Sequence, residues 1–263
     1  MNRLLISLAA ALALAASGAA LAQQHPAPEP SGYLGEAAPD TYKILPPAPT
    51  PGTIRYQADR SAFLATRALK DSPRWSLASA DADEAAIVKD MSCALGMELT
   101  AQTAPRLTGI LMTARYDVRR AVNHPKDIYK RQRPYLIDEG DICVAKTEGL
   151  AKSPDYPSGH TTWGWTVGLI LAELVPDRST EILARARSFG ESRLVCGVHN
   201  MSAVEAGRTN GSIVVAGLHG SARFRADMDA ARKELAALRK GAKAPDGAAC
   251  SAEAELIARS PYN

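Results

Sequence analysis

The 263-residue sequence lacks several features that would each point to a class of protein. It has no run of Lys and Arg and no basic stretch interleaved with aromatic residues, so nothing indicates a nucleic-acid surface. No segment alternates apolar and polar residues for long enough to predict a β-strand. The formal net charge is only +3, so a preference for anionic ligands would have to come from local clusters of cations.

Long apolar runs are scarce as well, and the first of them is typical of a secretory signal. Residues 1–22 combine Arg3, an apolar stretch and the cleavage pattern Ala20-Leu21-Ala22. A transmembrane anchor is the alternative, but the run is short and the cleavage pattern follows directly. We expect export to the periplasm or the medium, with no membrane insertion after cleavage. Cleavage would remove Arg3 and no acidic residue, which lowers the net charge from +3 to +2.

The four cysteines do not follow the spacing of a zinc site such as C-x2-C. An even number of cysteines in an exported protein predicts two disulfides. Three pairings of Cys93, Cys143, Cys196 and Cys250 are possible, and the sequence does not decide among them. Our preferred pairing is Cys93–Cys143 with Cys196–Cys250. Buried free thiols are the alternative.

The spacing of apolar residues predicts an all-α, single-domain helical bundle. Residues 160–175 are apolar nearly all round, which is typical of a buried central helix of 15 or so residues, too short to cross a membrane. After the signal we expect a Pro/Ala-rich arm over 23–54, a helical domain over 55–240 and a loose tail over 241–263 with a short helix near 252–258. Further helices are expected near 57–69, 81–97, 105–122, 179–189, 202–218 and 221–238.

Three groups of polar residues together predict a phosphate site. Lys126, Arg133 and Arg193 supply three cations, and the transferred group of a phosphate ester needs its oxygens neutralised. The pair Ser158-Gly159 precedes the central helix, whose N-terminal N–H groups favour an anion.

The two histidines of this pattern can divide the chemistry. His199 and His160 offer a neutral nucleophile and a protonated general acid, because imidazole serves either role near neutral pH. Requiring one charged histidine moves the pH range of activity toward acid.

Taken singly, each of these polar groups has an ordinary explanation: a solvated basic face over 126–133, a surface ion pair at Arg193, a structural histidine, or a helix cap.

The combination resembles the type 2 phosphatidic acid phosphatase (PAP2) and vanadium haloperoxidase superfamily, whose pattern is K-x6-R-P, then P-S-G-H, then S-R-x5-H-x3-D. The chain has these elements at Lys126 to Pro134, at Pro157-Ser158-Gly159-His160, and at Ser192 to His199. The longer runs 156–161 and 190–199 look like the class A bacterial non-specific acid phosphatases, as do 66–70, 206–208 and the Pro-rich arm. The resemblance covers nearly the whole of the expected mature chain.

The resemblance implies a role for each residue. His199 would form a phosphohistidine and His160 would be the general acid, while Lys126, Arg133, Ser158, Gly159 and Arg193 would bind the phosphate. It implies no metal and no cofactor.

The pattern is broken at one position. Ala203 stands where the family carries the Asp of H-x3-D, whose carboxylate orients the nucleophilic imidazole. Glu205 is a poor substitute, because on a helix it points about 120° away from position 203. Asn200, where the family often has Trp, is a second local difference. These differences raise the question of whether turnover is impaired, and they predict that Ala203→Asp raises activity.

The sequence therefore predicts an exported acid phosphatase that acts on soluble phosphate monoesters, binds inorganic phosphate, and accepts vanadate as a mimic. It leaves open whether the protein forms a homo-oligomer. Three alternatives remain: a phosphate-binding pseudoenzyme of the same fold, a vanadium-dependent haloperoxidase, and a membrane lipid phosphatase. The last would need several membrane-spanning helices, which we do not find after the signal.

Overall fold

A computed structural model of the chain describes residues 31–262, so the expected signal and the first residues of the arm lie outside it. The described part is helical and has no strand, which confirms the all-α prediction. Its α-helices are α1 (Thr41–Ile44), α2 (Ile54–Thr66), α3 (Pro73–Ala80), α4 (Ile87–Asp90), α5 (Ser92–Leu95), α6 (Pro105–Tyr129), α7 (Glu148–Lys152), α8 (Gly159–Leu174), α9 (Ser179–Val195), α10 (Met201–Leu218), α11 (Ala222–Leu238) and α12 (Gly247–Ala258). Among these residues, no helix is both long and apolar enough to span a bilayer.

Helix α8 is the predicted central helix, and its position is confirmed. It packs mainly against α9 and α10, and α6 and α11 close the same core. Close approach to α9 depends on Gly164 and Gly168, where an added Cβ would lie 2.3 Å from Phe189 and 2.3 Å from Ala186 respectively. The three sequence motifs lie on or next to α6, α8 and α9, and α6 and α9 both pack on α8.

Two predicted helix boundaries are wrong. The segment 81–97 is not one helix but a 3-10 turn followed by α4 and α5, and Gly96 ends it in the left-handed conformation with φ 71°. Helix α9 does not stop at Gly190 but continues to Val195, because that glycine packs against Thr161 of α8 inside the helix. Arg193 therefore lies on the last turn of α9.

The disulfide preference is also wrong, since the pairs are Cys93–Cys250 and Cys143–Cys196. The first joins α5 to α12, which packs on α9. The second joins the loop before α7 to the end of α9, where the Cys143 backbone N–H also donates to the Cys196 carbonyl at 3.0 Å. These pairings follow from helix packing, which the spacing of cysteines along the chain does not reveal.

The described part of the Pro/Ala-rich arm lies on the core. Asp117 of α6 accepts the backbone N–H of Tyr33 at 2.7 Å, and the Thr41 hydroxyl donates to the Ala121 carbonyl at 2.8 Å. The C-terminal segment contains α12, which is longer than the short helix expected there.

Candidate active site

The polar residues of the three motifs meet in one cavity of about 300 Å³ at the N-terminal end of α8. Its walls come from α6, the loop after it, α8, α9 and the turn before α10. The predicted residues that line it are Lys126, Arg133, Gly159, His160, Arg193 and His199.

The three cations are mostly buried around this cavity, with exposed fractions of 8% for Lys126, 4% for Arg133 and 8% for Arg193. Burial, reinforced by the neighbouring cations, lowers the pKa of Lys126 to about 8 and that of Arg193 to about 10. Nε and Nη1 of Arg193 are buried without a hydrogen-bond partner. Since an unsatisfied buried donor is costly, the arrangement favours an anion that accepts from Arg193.

Ser158 and Gly159 form the start of α8, but only Gly159 lines the cavity. Ser158 is fully buried, and its hydroxyl accepts the Thr161 backbone N–H at 3.2 Å as the helix cap. An added Cβ at Gly159 would meet Val122 at 3.2 Å, so a side chain there would crowd the wall formed by α6. Ser158 thus shapes the helix start, and its direct contact with phosphate stays a prediction.

His160 has the geometry of a proton donor to a ligand in the cavity. Its ring stacks on Phe189 with a centroid distance of 4.2 Å, and its Nδ1 lies 3.2 Å from Oε1 of Glu84. Its Nε2 is buried without a partner. Burial and the nearby Arg193 guanidinium lower the pKa of His160 to about 4, and the Glu84 carboxylate opposes that shift.

His199 is buried and held at both ring nitrogens. Its Nε2 lies 3.1 Å from Nη1 of Arg133, and its Nδ1 lies 2.9 Å from Oδ1 of Asp155. An arginine can only donate, so these partners assign the tautomer with the proton on Nδ1 and the lone pair on Nε2. Burial and the surrounding cations hold the pKa of His199 well below its usual range. The ring is therefore neutral, with Nε2 free of a proton.

The turn between α9 and His199 is fixed by a glycine and an arginine. Gly197 has a φ of 79°, in the left-handed region that favours glycine, and an added Cβ would lie 2.4 Å from Arg67. The Arg67 guanidinium donates to the carbonyls of Leu194 at 3.0 Å and Val195 at 2.7 Å. These contacts place His199 opposite the start of α8.

His199 has a carboxylate partner even though position 203 carries an alanine. Ala203 is fully buried and packs in a small apolar cluster with Leu45 and Tyr156. Asp155, two residues before the P-S-G-H motif, contacts the ring instead. Glu205 is partly exposed and pairs with Arg55 at 3.2 Å, as expected of a residue that points away from position 203.

Three residues of the site were not predicted from the sequence: Asp155, Glu84 and Ser153. Ser153 accepts from Nζ of Lys126 at 3.4 Å and, through its carbonyl, from Nε of Arg133 at 2.7 Å. A signal existed only for Asp155, an acidic residue directly upstream of P-S-G-H. Glu84 lies far from the motifs in the sequence. Within residues 31–262, no group of three or more His, Cys, Asp or Glu side chains is arranged to hold a metal ion.

A helical fold that gathers three buried cations and two histidines around one small cavity defines an enzyme that handles phosphate. Comparison with known proteins agrees. Residues 107–225 match the PAP2 superfamily. An acid phosphatase from Zymomonas mobilis is 44% identical over 217 residues, which cover 81% of this chain and 82% of that protein. Non-specific acid phosphatases from Providencia stuartii and Salmonella typhimurium are 35% and 34% identical, over 76% and 73% of this chain and 83% and 78% of their own lengths.

The chain therefore belongs to the PAP2 superfamily, and its relatives within that superfamily are acid phosphatases. The predicted family and the prediction of a phosphatase enzyme are confirmed.

Proposed function

We propose that the protein hydrolyses soluble phosphate monoesters in the periplasm or outside the cell, through a phosphohistidine on His199. The observation that carries the proposal is the state of the two histidines. His199 presents an unprotonated Nε2, and His160 presents an Nε2 without a protein partner, at one cavity lined by Lys126, Arg133 and Arg193.

In the first half-reaction the Nε2 lone pair of His199 forms a bond to phosphorus while the bond from phosphorus to the ester oxygen breaks. The three cations neutralise the phosphoryl oxygens, which is the main requirement of this transition state. Arg133 now donates to Nε2, and a bound phosphoryl group would draw that donor to its own oxygens and release the lone pair. The Nε2–H of protonated His160 gives its proton to the leaving alkoxide.

In the second half-reaction a water molecule attacks phosphorus, the bond from His199 to phosphorus breaks, and His160 accepts the proton of the water. His160 must therefore be protonated when the ester binds. Burial lowers its pKa to about 4, but the negative charges of a bound phosphoryl group stabilise the imidazolium and raise that pKa. This coupling supports activity on the acid side of neutrality.

The alternative of a pseudoenzyme that only binds phosphate loses its main argument, because a carboxylate does contact the His199 ring. Export is supported by the expected signal at residues 1–22, which lie outside the described structure.

Turnover of an aryl phosphate by the purified mature protein between about pH 5 and 7, the range in which histidine changes charge, tests the proposal. Acid quenching during turnover of a substrate with a labelled phosphoryl group should trap labelled protein, and His199→Ala should not be labelled. Binding of phosphate without turnover at any pH would support the pseudoenzyme instead.

A further inference from the structure

The carboxylate beside the proposed nucleophile comes from an unexpected part of the chain. In the H-x3-D pattern it stands four residues after the histidine, on the first turn of α10. Here that position is Ala203, and the carboxylate that contacts Nδ1 of His199 at 2.9 Å belongs to Asp155 in the loop before α8. We propose that Asp155 is the positioning residue of the nucleophile and has replaced the carboxylate of position 203. This inference rests on the proposed role of His199.

Asp155 is held firmly enough for that role. Its side chain is fully buried, and Oδ1 also accepts the backbone N–H of Asn200 at 3.1 Å. Oδ2 accepts from Nδ2 of Asn200 at 2.8 Å and lies 3.4 Å from Nη1 of Arg131. Both oxygens are therefore occupied by donors, which keeps the carboxylate from rotating away from the ring.

A second layer of contacts fixes Arg131. Its Nη2 donates to Oδ2 of Asp59 at 2.7 Å, and Nη1 donates to the Ser202 hydroxyl at 2.8 Å. Asp59 of α2 accepts both the backbone N–H and the hydroxyl of Ser202, at 2.8 and 2.6 Å. The chain from Asp59 through Arg131 to Asp155 thus links α2, the loop after α6 and the start of α10 to the nucleophile.

The two local differences from the family pattern have one explanation in this geometry. Asn200 stands where the family often has Trp, and its amide is one of the donors that hold Asp155. The Ala203 methyl lies in the apolar cluster with Tyr156, which follows Asp155 in the chain. The backbone carbonyl of Ala203 accepts the Ser158 backbone N–H at 3.0 Å. An acidic side chain at 203 would add a second charge to a site that already holds one.

This placement reverses the expectation that Ala203→Asp raises activity. In the presence of Asp155, a second carboxylate would repel the first and favour the protonated, non-nucleophilic form of His199. We expect kcat to fall in Ala203→Asp. In the absence of Asp155, the same substitution should restore the family arrangement and raise kcat.

The test compares kcat on one aryl phosphate for four proteins. They are the unaltered protein, Asp155→Ala, Ala203→Asp and the double variant. Asp155→Ala should lower kcat by roughly 10⁴-fold, by analogy with the loss of the orienting Asp of a serine-protease triad. The double variant should recover at least about tenfold of that loss, which simple damage to the fold would not do. Phosphate affinity should change little, because the three cations remain.

A measurement on the unaltered protein covers the case in which the variants do not fold. Nitrogen-15 NMR of the histidine rings should show His199 with its proton on Nδ1, and in a folded Asp155→Ala protein that preference should weaken. The proposal is overturned if unaltered His199 carries its proton on Nε2, or if folded Asp155→Ala keeps kcat within about twofold. Labelling of His199 during turnover separates these results from failure of the phosphohistidine mechanism, because the nucleophile can be labelled whatever residue orients it.

Discussion

At the scale of single residues, the two histidines of the site have different environments, so removing each should affect turnover in a different way. His199→Ala should abolish the phosphoenzyme, because the attacking nitrogen is lost. His160→Ala should slow esters with poor leaving groups much more than aryl phosphates, because only the former need a proton on the departing oxygen. Steady-state kinetics on an alkyl and an aryl phosphate make the comparison. Equal losses on both substrates in His160→Ala would contradict its assignment as the acid.

Arg193 should be the cation whose removal most directly weakens phosphate binding, since two of its nitrogens lack protein partners. A charge-assisted hydrogen bond contributes about 1.5–3 kcal/mol, so Arg193→Ala should weaken the binding of phosphate or vanadate at least tenfold, as measured by calorimetry. Arg223→Ala is the matched control, because that side chain is 63% exposed on α11. Unchanged affinity in Arg193→Ala would show that the anion binds elsewhere.

At the scale of secondary-structure elements, the two disulfides should have separable effects. Cys143–Cys196 ties down the end of α9, three residues before His199, whereas Cys93–Cys250 holds α12 against α5. Replacing either pair with alanine should cost about 2–4 kcal/mol in the free energy of unfolding. Only loss of the Cys143–Cys196 pair should also lower kcat of the folded protein. Denaturant titration and kinetics of both variants check this, and equal kcat losses would show that Cys143–Cys196 has no specific effect on the site.

The sequence allows the main helices to be predicted because their apolar residues either repeat with helical spacing, as in α6, or fill a whole segment, as in α8. It fails at 81–97, where Gly96 and short apolar runs divide the chain into turns, and at Gly190, where a contact with Thr161 outweighs the low helix propensity of glycine. The cavity residues within the motifs could be predicted from their spacing. Glu84 could not, and Asp155 only as an acidic residue two positions before P-S-G-H, because their roles depend on contacts between distant segments.

At the scale of the whole molecule, the near-neutral net charge conceals a strongly charged interior. The formal net charge is only +3, yet cations and carboxylates lie buried side by side in the fold. Arg185 of α9 and Asp81 at the end of α3, both 1% exposed, pair at 2.5 Å, and the chain of contacts from Asp59 to Asp155 ends at His199 of the cavity. Such pairs are costly to separate, so the folded core resists rearrangement while the three cations of the cavity stay available to a ligand.

The pH dependence of folding stability provides a test of this charged interior. Burial holds the folded pKa of His160 at about 4, whereas an unfolded histidine titrates near 6.5. Between these values the unfolded chain binds a proton that the folded protein does not, so stability falls as the pH falls through this window. Asp90, whose pKa burial raises to about 6, acts in the opposite direction, so the total slope alone does not isolate His160.

The difference in the free energy of unfolding between the unaltered protein and His160→Gln isolates the contribution of His160, because Asp90 is present in both proteins. Lowering the pH from about 7.5 to 4.5 should reduce the stability advantage of the unaltered protein by roughly 2–3 kcal/mol, at 1.36 kcal/mol per pKa unit. Saturating vanadate should shrink this change, because its negative charge raises the folded pKa of His160. His219→Gln, at an exposed histidine outside the cavity, is the control for the His-to-Gln substitution itself. Denaturant titrations at several pH values make the measurement, and a constant difference across the range would mean that folding leaves the pKa of His160 near its unfolded value.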